Sequence, residues 1–255
     1  MRFSVLGSGS RGNAVFIENG STGILIDAGF SGKEIEKRLN SIDRELADVQ
    51  AICVTHEHND HICGAGVLSR RCKIPVYAND GTFLAGEKRM GKLFHYKEFE
   101  TGATVEVGDL QVRSFRVSHD TADPVGFVVG DGDRYLGYCT DTGKVSHLMA
   151  QRLSKCQALI LEFNHNLEML KNGPYPLPLQ QRVRSSRGHL CNEDAAKFLS
   201  QLKGAHLQHV VQAHLSEKNN RPELARRSIK ELDLDWTDTT LSIAEQDRAL
   251  ELVEV

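Results

Sequence analysis

The chain has 255 residues, of which 40% are apolar and 25% charged, and its formal net charge is −3. That composition suits a globular protein of one large α/β domain or two small ones, and no apolar run approaches the ~18 residues of a membrane span. The charge balance does not mark a nucleic-acid binder, although a local basic groove matters more than the total.

The six cysteines, Cys53, Cys63, Cys72, Cys139, Cys156 and Cys191, form no C-x-x-C pair. Their scatter argues against a zinc ribbon and a disulfide scaffold, and fits core thiols of a reduced, cytoplasmic protein.

In chain order, residues 2–6 meet Gly7 and Ser8 too soon for a signal peptide and read as a first strand. Residues 14–18 and 23–27 continue an opening meander. Ser31 and Glu34 make a capping box, with Ile35, Leu39 and Ile42 as the apolar stripe of the helix behind it. Residues 50–55 read as a buried strand and 64–72 as a helix. Residues 76–78 form a short strand after Pro75, which fits a strand's first position. Strands follow at 110–118, 124–130 and 134–140, then a helix at 144–153 and a strand at 158–162. Asn192 is placed to cap a helix lined by Ala195, Phe198, Leu199 and Leu202. A strand at 209–213 precedes a last helix from Pro222 to Leu232, and the tail adds an edge strand or two.

No linker divides the chain, so a single domain over residues 1–255 is expected. Meanders with interspersed helices in both halves suit two packed sheets covered outside by helices, rather than a doubly wound parallel sheet. Residues 164–190 differ. They carry Pro174, Pro176 and Pro178 with Lys171, Arg182, Arg184 and Arg187, and are expected to form an ordered, irregular, functional insertion.

Thr55-His56-Glu57-His58-Asn59-Asp60-His61 follows the strand at 50–55 directly. So many imidazoles and carboxylates in one short run have no packing rationale. In an extended segment His56 and His58 project the same way, and a turn brings Asp60 and His61 to a second point nearby. Imidazole with carboxylate is the ligand set of Zn, Mn or Fe. A dinucleotide fingerprint at Gly7-x-Gly9-x-x-Gly12 lacks the helix that would hold a pyrophosphate, because a strand follows it.

The run His56-x-His58-x-Asp60-His61 resembles the signature of the metallo-β-lactamase superfamily. Asp27, His119, Asp141 and His214 each end an expected strand and match the family's remaining polar positions in order. The resemblance implies an αββα four-layer sandwich with two divalent ions, Zn, Mn or Fe. One ion takes His56, His58 and His119, the other Asp60, His61 and His214, with Asp141 bridging. It also implies a metal-bridging hydroxide as nucleophile, with Asp60 taking part in catalysis, and orientation of the ligands by Asp27 and Thr140. Aspartate at 141, where a thiolate often serves true β-lactamases, favours the phosphodiesterase and nuclease branches. Cys139, two residues upstream, reads as core or as a residue packed behind the metal ligands.

Further stretches resemble the YycJ/WalJ branch of bacterial DNA exonucleases: Gly7 to Asn13, Glu162-Phe163-Asn164-His165-Asn166, Gln180-Gln181-Arg182, Gly188-His189-Leu190 and Ala213-His214-Leu215-Ser216. The resemblance implies 5′→3′ cleavage of DNA, and the lack of a long apolar run implies no membrane partner. The chain departs from the branch at Phe163 and Asn166, which bears on substrate contacts. By analogy with tRNA-processing nucleases, His189 is the expected general acid, oriented by Glu162, with His165 as competitor. Ser10, Asn13, His165, Arg182, Arg184 and Arg187 are the expected substrate contacts. The alternative is a small-molecule ester, lactone, thioester or cyclic-nucleotide hydrolase on the same centre.

Overall fold

The computed structural model describes residues 1–202, 207–232 and 236–255. Strands β1 (Arg2–Gly7), β2 (Ala14–Asn19) and β3 (Thr22–Ile26) form an antiparallel meander. After helix α1 (Gly32–Asn40) and a 3-10 turn at Leu46–Asp48, β4 (Ala51–Cys53) runs parallel to β3. The single-turn α2 (Asn59–Ile62) and α3 (Ala65–Cys72) lead to β5 (Pro75–Ala78), α4 (Asp80–Met90) and β6 (His95–Glu98), which extend the parallel half.

The second half repeats the plan. β7 (Thr104–Val107), β8 (Leu110–Arg116), β9 (Val125–Gly130) and β10 (Tyr135–Cys139) form a meander. Past α5 (His147–Leu153) come β11 (Ala158–Glu162), α6 (Leu167–Asn172), α7 (Leu177–Val183), α8 (Asn192–Gln201), β12 (His209–Ala213), α9 (Pro222–Lys230) and β13 (Thr240–Ile243). β10 to β13 are parallel, and β14 (Val253–Glu254) returns to pair antiparallel with β1. The sheets read β14-β1-β2-β3-β4-β5-β6 and β13-β12-β11-β10-β9-β8-β7, so the tail supplies one edge strand to each.

Three apolar layers hold four structural ones. Val5, Ile17 and Ile26 meet Val112, Phe127 and Ile160 between the sheets. Leu25 and Ile52 pack beneath Ile35 and Leu39 of α1, Leu68 of α3 and Phe83 of α4. Leu159 and Val210 pack beneath Met149 of α5, Phe198 of α8 and Ile229 of α9. This is the αββα sandwich expected, each sheet being antiparallel in one half and parallel in the other.

Local details differ from expectation for physical reasons. Ser31 Oγ accepts the Glu34 N–H at 3.3 Å, but Glu34 turns its carboxylate to the buried Arg38 at 2.8 Å instead of closing the capping box. A buried guanidinium needs that counter-charge more than the Ser31 backbone needs a partner. Cys191, not Asn192, caps α8, its Sγ accepting the Asp194 N–H at 3.4 Å. The buried Asn192 amide is taken by Asn220 at 2.9 Å. The insertion is irregular only in part, since residues 167–172 and 177–183 fold as α6 and α7. α4, β6 and β7 were not anticipated. Among the described residues, no helix is long and apolar enough to cross a membrane.

Candidate metal centre

The segments that follow β3, β4, β8, β10, β11 and β12 converge at one edge of the sandwich, where three chain reversals share one backbone conformation. Asp27, Asp141 and His214 have φ of 61°, 56° and 55°, the left-handed region. Such a conformation costs an L-residue about 1–2 kcal/mol and is tolerated best by Asn, Asp and, among others, His. All three polar side chains thereby turn from the strand into the site.

The motif after β4 fills the middle. His58 has extended backbone and precedes α2, whose one turn carries Asp60 and His61. The rings of His56, His58 and His119 form a triangle, with centroids 4.9, 5.0 and 5.1 Å apart. Asp60 Oδ2 lies 3.6 Å from His61 Nε2 and 3.7 Å from His214 Nε2. Asp141 sits between the groups, with Oδ2 3.4 Å from His61 Nε2 and Oδ1 3.8 Å from His119 Nε2. In each of the sets His56–His58–His119 and Asp60–His61–His214, the potential ligand atoms lie within 4.8 Å of one another. These are the two sets the sequence resemblance implied.

The donors fit divalent cations. His56 Nε2, His214 Nε2 and Asp141 Oδ2 are buried without a hydrogen-bond partner among the described residues. Buried polar atoms seldom remain unpaired, and aimed into one space they are the donors a cation satisfies. A further group, Asp141–Glu162–His189–His214, is equally close. Glu162 is a poor ligand there, because its oxygens already accept from His189, His214 and the Thr142 and Leu190 N–H groups.

The opposite ring nitrogens are held from outside. His61 Nδ1 donates to Asp27 at 2.7 Å, and the same carboxylate accepts the Thr55 N–H at 2.8 Å. Thr140 reaches Asp27 through Tyr138, donating to the phenol at 3.2 Å, and that phenol meets Asp27 at 3.4 Å. His119 Nδ1 faces the Gly188 carbonyl at 3.1 Å, and His214 Nδ1 faces Glu162 at 3.0 Å. Outer partners of this kind fix the tautomer that leaves the other nitrogen free for a cation.

Electrostatics divide the histidines. Burial, reinforced by neighbouring imidazoles, pushes His56 well below the ordinary histidine value. Burial also opposes charge on His61, but Asp141, Asp27 and Asp60 outweigh it and push it up to about 9. For Asp60, burial favours the neutral acid, yet His61 and His214 hold it well below the usual carboxylate range. Cys139 takes no part. It is buried in the core under α5, where desolvation pushes its thiol far up.

Above the centre a cleft of about 240 Å³ is lined by Ser10, His58, Asp60, Asp141, His189 and His214, with Tyr175, Leu179, Arg182 and Val183 along one wall. His189 Nδ1 donates to Glu162 at 2.7 Å, leaving Nε2 toward the cleft. Burial disfavours its charge, but Glu162 and then Asp141 outweigh that and raise its pKa. Asn13 and His165 are not substrate-facing. Asn13 is buried, accepting the Gly9 N–H at 2.9 Å while its amide approaches His61 Nε2 at 3.1 Å. His165 is buried beside Asn164, and desolvation lowers it to about 4. Arg182 lies on the cleft wall and donates to Asp120 at 2.6 Å. Arg187 donates to the His119 carbonyl at 3.3 Å, and Arg184 stands exposed. The reading of the residues missed Asp120, whose only signal was its place beside His119, and Tyr138, which has none beyond strand periodicity.

This chain belongs to the β-lactamase superfamily, whose domain description matches residues 22–214, and it is a metal-dependent hydrolase of the metallo-β-lactamase fold. It is 41% identical over 234 residues to "Exodeoxyribonuclease YycJ" of Bacillus anthracis, covering 91% of this chain and 89% of that protein. It is 40% identical over 232 residues to "Exodeoxyribonuclease WalJ" of Streptococcus pneumoniae, covering 89% and 86%. Among solved structures, the metallo-β-lactamase fold protein YhfI of Bacillus subtilis superposes with TM-score 0.74 at 16% identity, over 98% of this chain and 99% of that one. Human tRNase Z, short form, gives TM-score 0.65 at 17% identity, over 98% and 99%. At such identities the two structures speak for the fold alone.

Proposed function

We propose that this chain, as one domain of residues 1–255, is a phosphodiesterase that removes nucleotides from DNA in the 5′→3′ sense. It uses two divalent cations, Zn, Mn or Fe, and works in the cytoplasm, where its six free thiols suit a reducing environment. The relatives named as exodeoxyribonucleases support the substrate and the exonucleolytic mode. The polarity is carried by the resemblance described for the sequence.

His56, His58 and His119 would hold one cation, Asp60, His61 and His214 the other, and Asp141 both. When bound, such a pair supplies Lewis acidity toward water and phosphoryl oxygens. The rest of the chemistry lies in side chains. Asp27, Gly188 and Glu162 hold His61, His119 and His214 in the tautomers that face the centre. Glu162 also favours the charged form of His189 and orients its ring, with Nε2 open to the cleft. Phosphodiester cleavage expels an alkoxide that needs a proton, and His189 Nε2 is placed to give it. That Glu162–His189 pair, at 2.7 Å beside Asp141, is the observation that carries the phosphodiesterase reading.

The test is incubation with end-labelled single- and double-stranded DNA under Mn²⁺, Zn²⁺ or chelator, with Asp60→Ala alongside. Metal-dependent mononucleotide release, absent in Asp60→Ala, is expected, and the labelled end reports the direction. Hydrolysis of small esters or lactones without any DNA cleavage would overturn the proposal.

A further inference from the structure

We propose that the face formed by Tyr175, Leu179 and Val183 is a subsite for the terminal nucleobase of the strand being cut. This assignment rests on nucleic acid being the substrate. α7 buries none of its residues in the core. Even so, Tyr175, Leu179 and Val183 are each half-buried, because they line the cleft with Asp60, Asp141, His189 and His214. Their four-residue spacing puts them on one side of α7 and its lead-in. Pro176, Leu177 and Pro178, between them, are exposed.

The cleft also carries the polar groups Ser10, Asn164 and Ser216, and the Asp120 carboxylate that Arg182 of α7 holds at 2.6 Å. A ligand that satisfies this lining offers hydrogen-bonding groups together with a flat, apolar face, as a nucleotide does. The cleft, at about 240 Å³, is smaller than the ~300–1,000 Å³ of ordinary ligand pockets and suits one base rather than a pair.

The wall is fixed to the expected proton donor. The His189 N–H donates to the Val183 carbonyl at 2.9 Å, and the Gln180 side chain holds the Tyr175 carbonyl at 2.9 Å. At Gly188 a Cβ would stand 2.2 Å from the Val183 oxygen and 2.3 Å from that of Arg182, so only glycine lets the segment close this tightly. A base stacked on Tyr175 would thus be in fixed register with His189 Nε2. Stacking accepts any base, so the subsite senses the presence of a base rather than its identity.

The experiment compares two single-stranded oligonucleotides that differ only at the terminus being cut, one ending in thymidine and one in an abasic tetrahydrofuran nucleotide. The ratio of their kcat/KM values is the readout. Wild type is expected to favour the thymidine end by roughly tenfold. Tyr175→Ala and Leu179→Ala should bring the ratio toward one, Tyr175→Phe should keep it, and Leu177→Ala, on the exposed side, should keep it too. Equal ratios in wild type and Tyr175→Ala, with both substrates cut, would reject the subsite and leave the nuclease standing. Failure of wild type to cut either oligonucleotide would reject nucleic-acid hydrolysis and the subsite with it.

Discussion

Asp27 Oδ2 stands 2.7 Å from His61 Nδ1, and neither side chain has any exposure to solvent. The carboxylate fixes the imidazole so that Nε2 faces Asp60 and Asp141. Asp27→Asn keeps the shape but weakens this restraint. Outer partners of metal-ligating histidines are worth about 10–100-fold in metal affinity. A loss in that range is expected in a chelator competition assay with Zn²⁺ or Mn²⁺, with the circular dichroism unchanged. Wild-type affinity in the variant would show that the pair serves packing alone.

Glu162 holds two imidazoles, so its removal should affect two properties, whereas removal of His189 should affect one. His189→Ala is expected to retain metal and to lose about 10²–10⁴-fold in turnover on DNA, with a smaller loss on bis(p-nitrophenyl) phosphate, whose leaving group needs no proton. Glu162→Gln should lower metal affinity as well, through His214. Equal losses for His189→Ala on both substrates would remove it from the role of acid.

Thiol reactivity follows burial. Cys63 is exposed, whereas burial pushes Cys53 and Cys156 up to about 12. Titration of the native protein with a disulfide reagent should label Cys63 fast and Cys72 next, with all six reacting only after denaturation. Cys139→Ala should cost about 1 kcal/mol of stability through lost packing and leave metal content unchanged. Loss of metal in that variant would return Cys139 to the centre.

Glu18 accepts from Arg44 at 2.7 and 2.8 Å and meets Arg2, and the Arg44 hydrogen bond leads the causes that hold its carboxyl below the ordinary 4.5. A depressed folded-state pKa contributes stability that is present above the unfolded value and lost as pH falls through the folded one. The difference in Tm between wild type and Glu18→Gln should therefore be largest near neutrality and shrink steadily below pH 4.5. A constant difference down to acid pH would mean that Glu18 acts through packing.

Where the sequence and structure agree, the cause is local. His56 to His61 are neighbours along the chain, so a strand end and one turn suffice to gather them, and their density has no other explanation. His119, Asp141 and His214 were legible only through family order, because nothing in periodicity says which strand ends meet. The stretch from α4 to β7 was lost for a different reason. β6 is exposed at every position and shows no alternation. α4 carries Gly86, where a Cβ would stand 3.0 Å from Met90 and 3.2 Å from Ile62, so close packing put a helix-weakening residue inside the helix. The prolines of residues 174–178 suggested irregular chain, yet Pro178 falls in the first turn of α7, where its missing N–H costs nothing.

The left-handed reversals at positions 27, 141 and 214 also narrow the alphabet available there. Glycine, asparagine, aspartate and histidine enter such a conformation readily, whereas valine, isoleucine and threonine do not. Random change at these places is filtered for backbone tolerance before it is filtered for activity, and the survivors include many of the residues able to bind a cation. A descendant that gave up hydrolysis while keeping its shape should then drift to glycine or asparagine at these positions rather than to a branched aliphatic residue. The three positions would serve as a fossil record of lost chemistry, readable from an alignment of idle members of the fold.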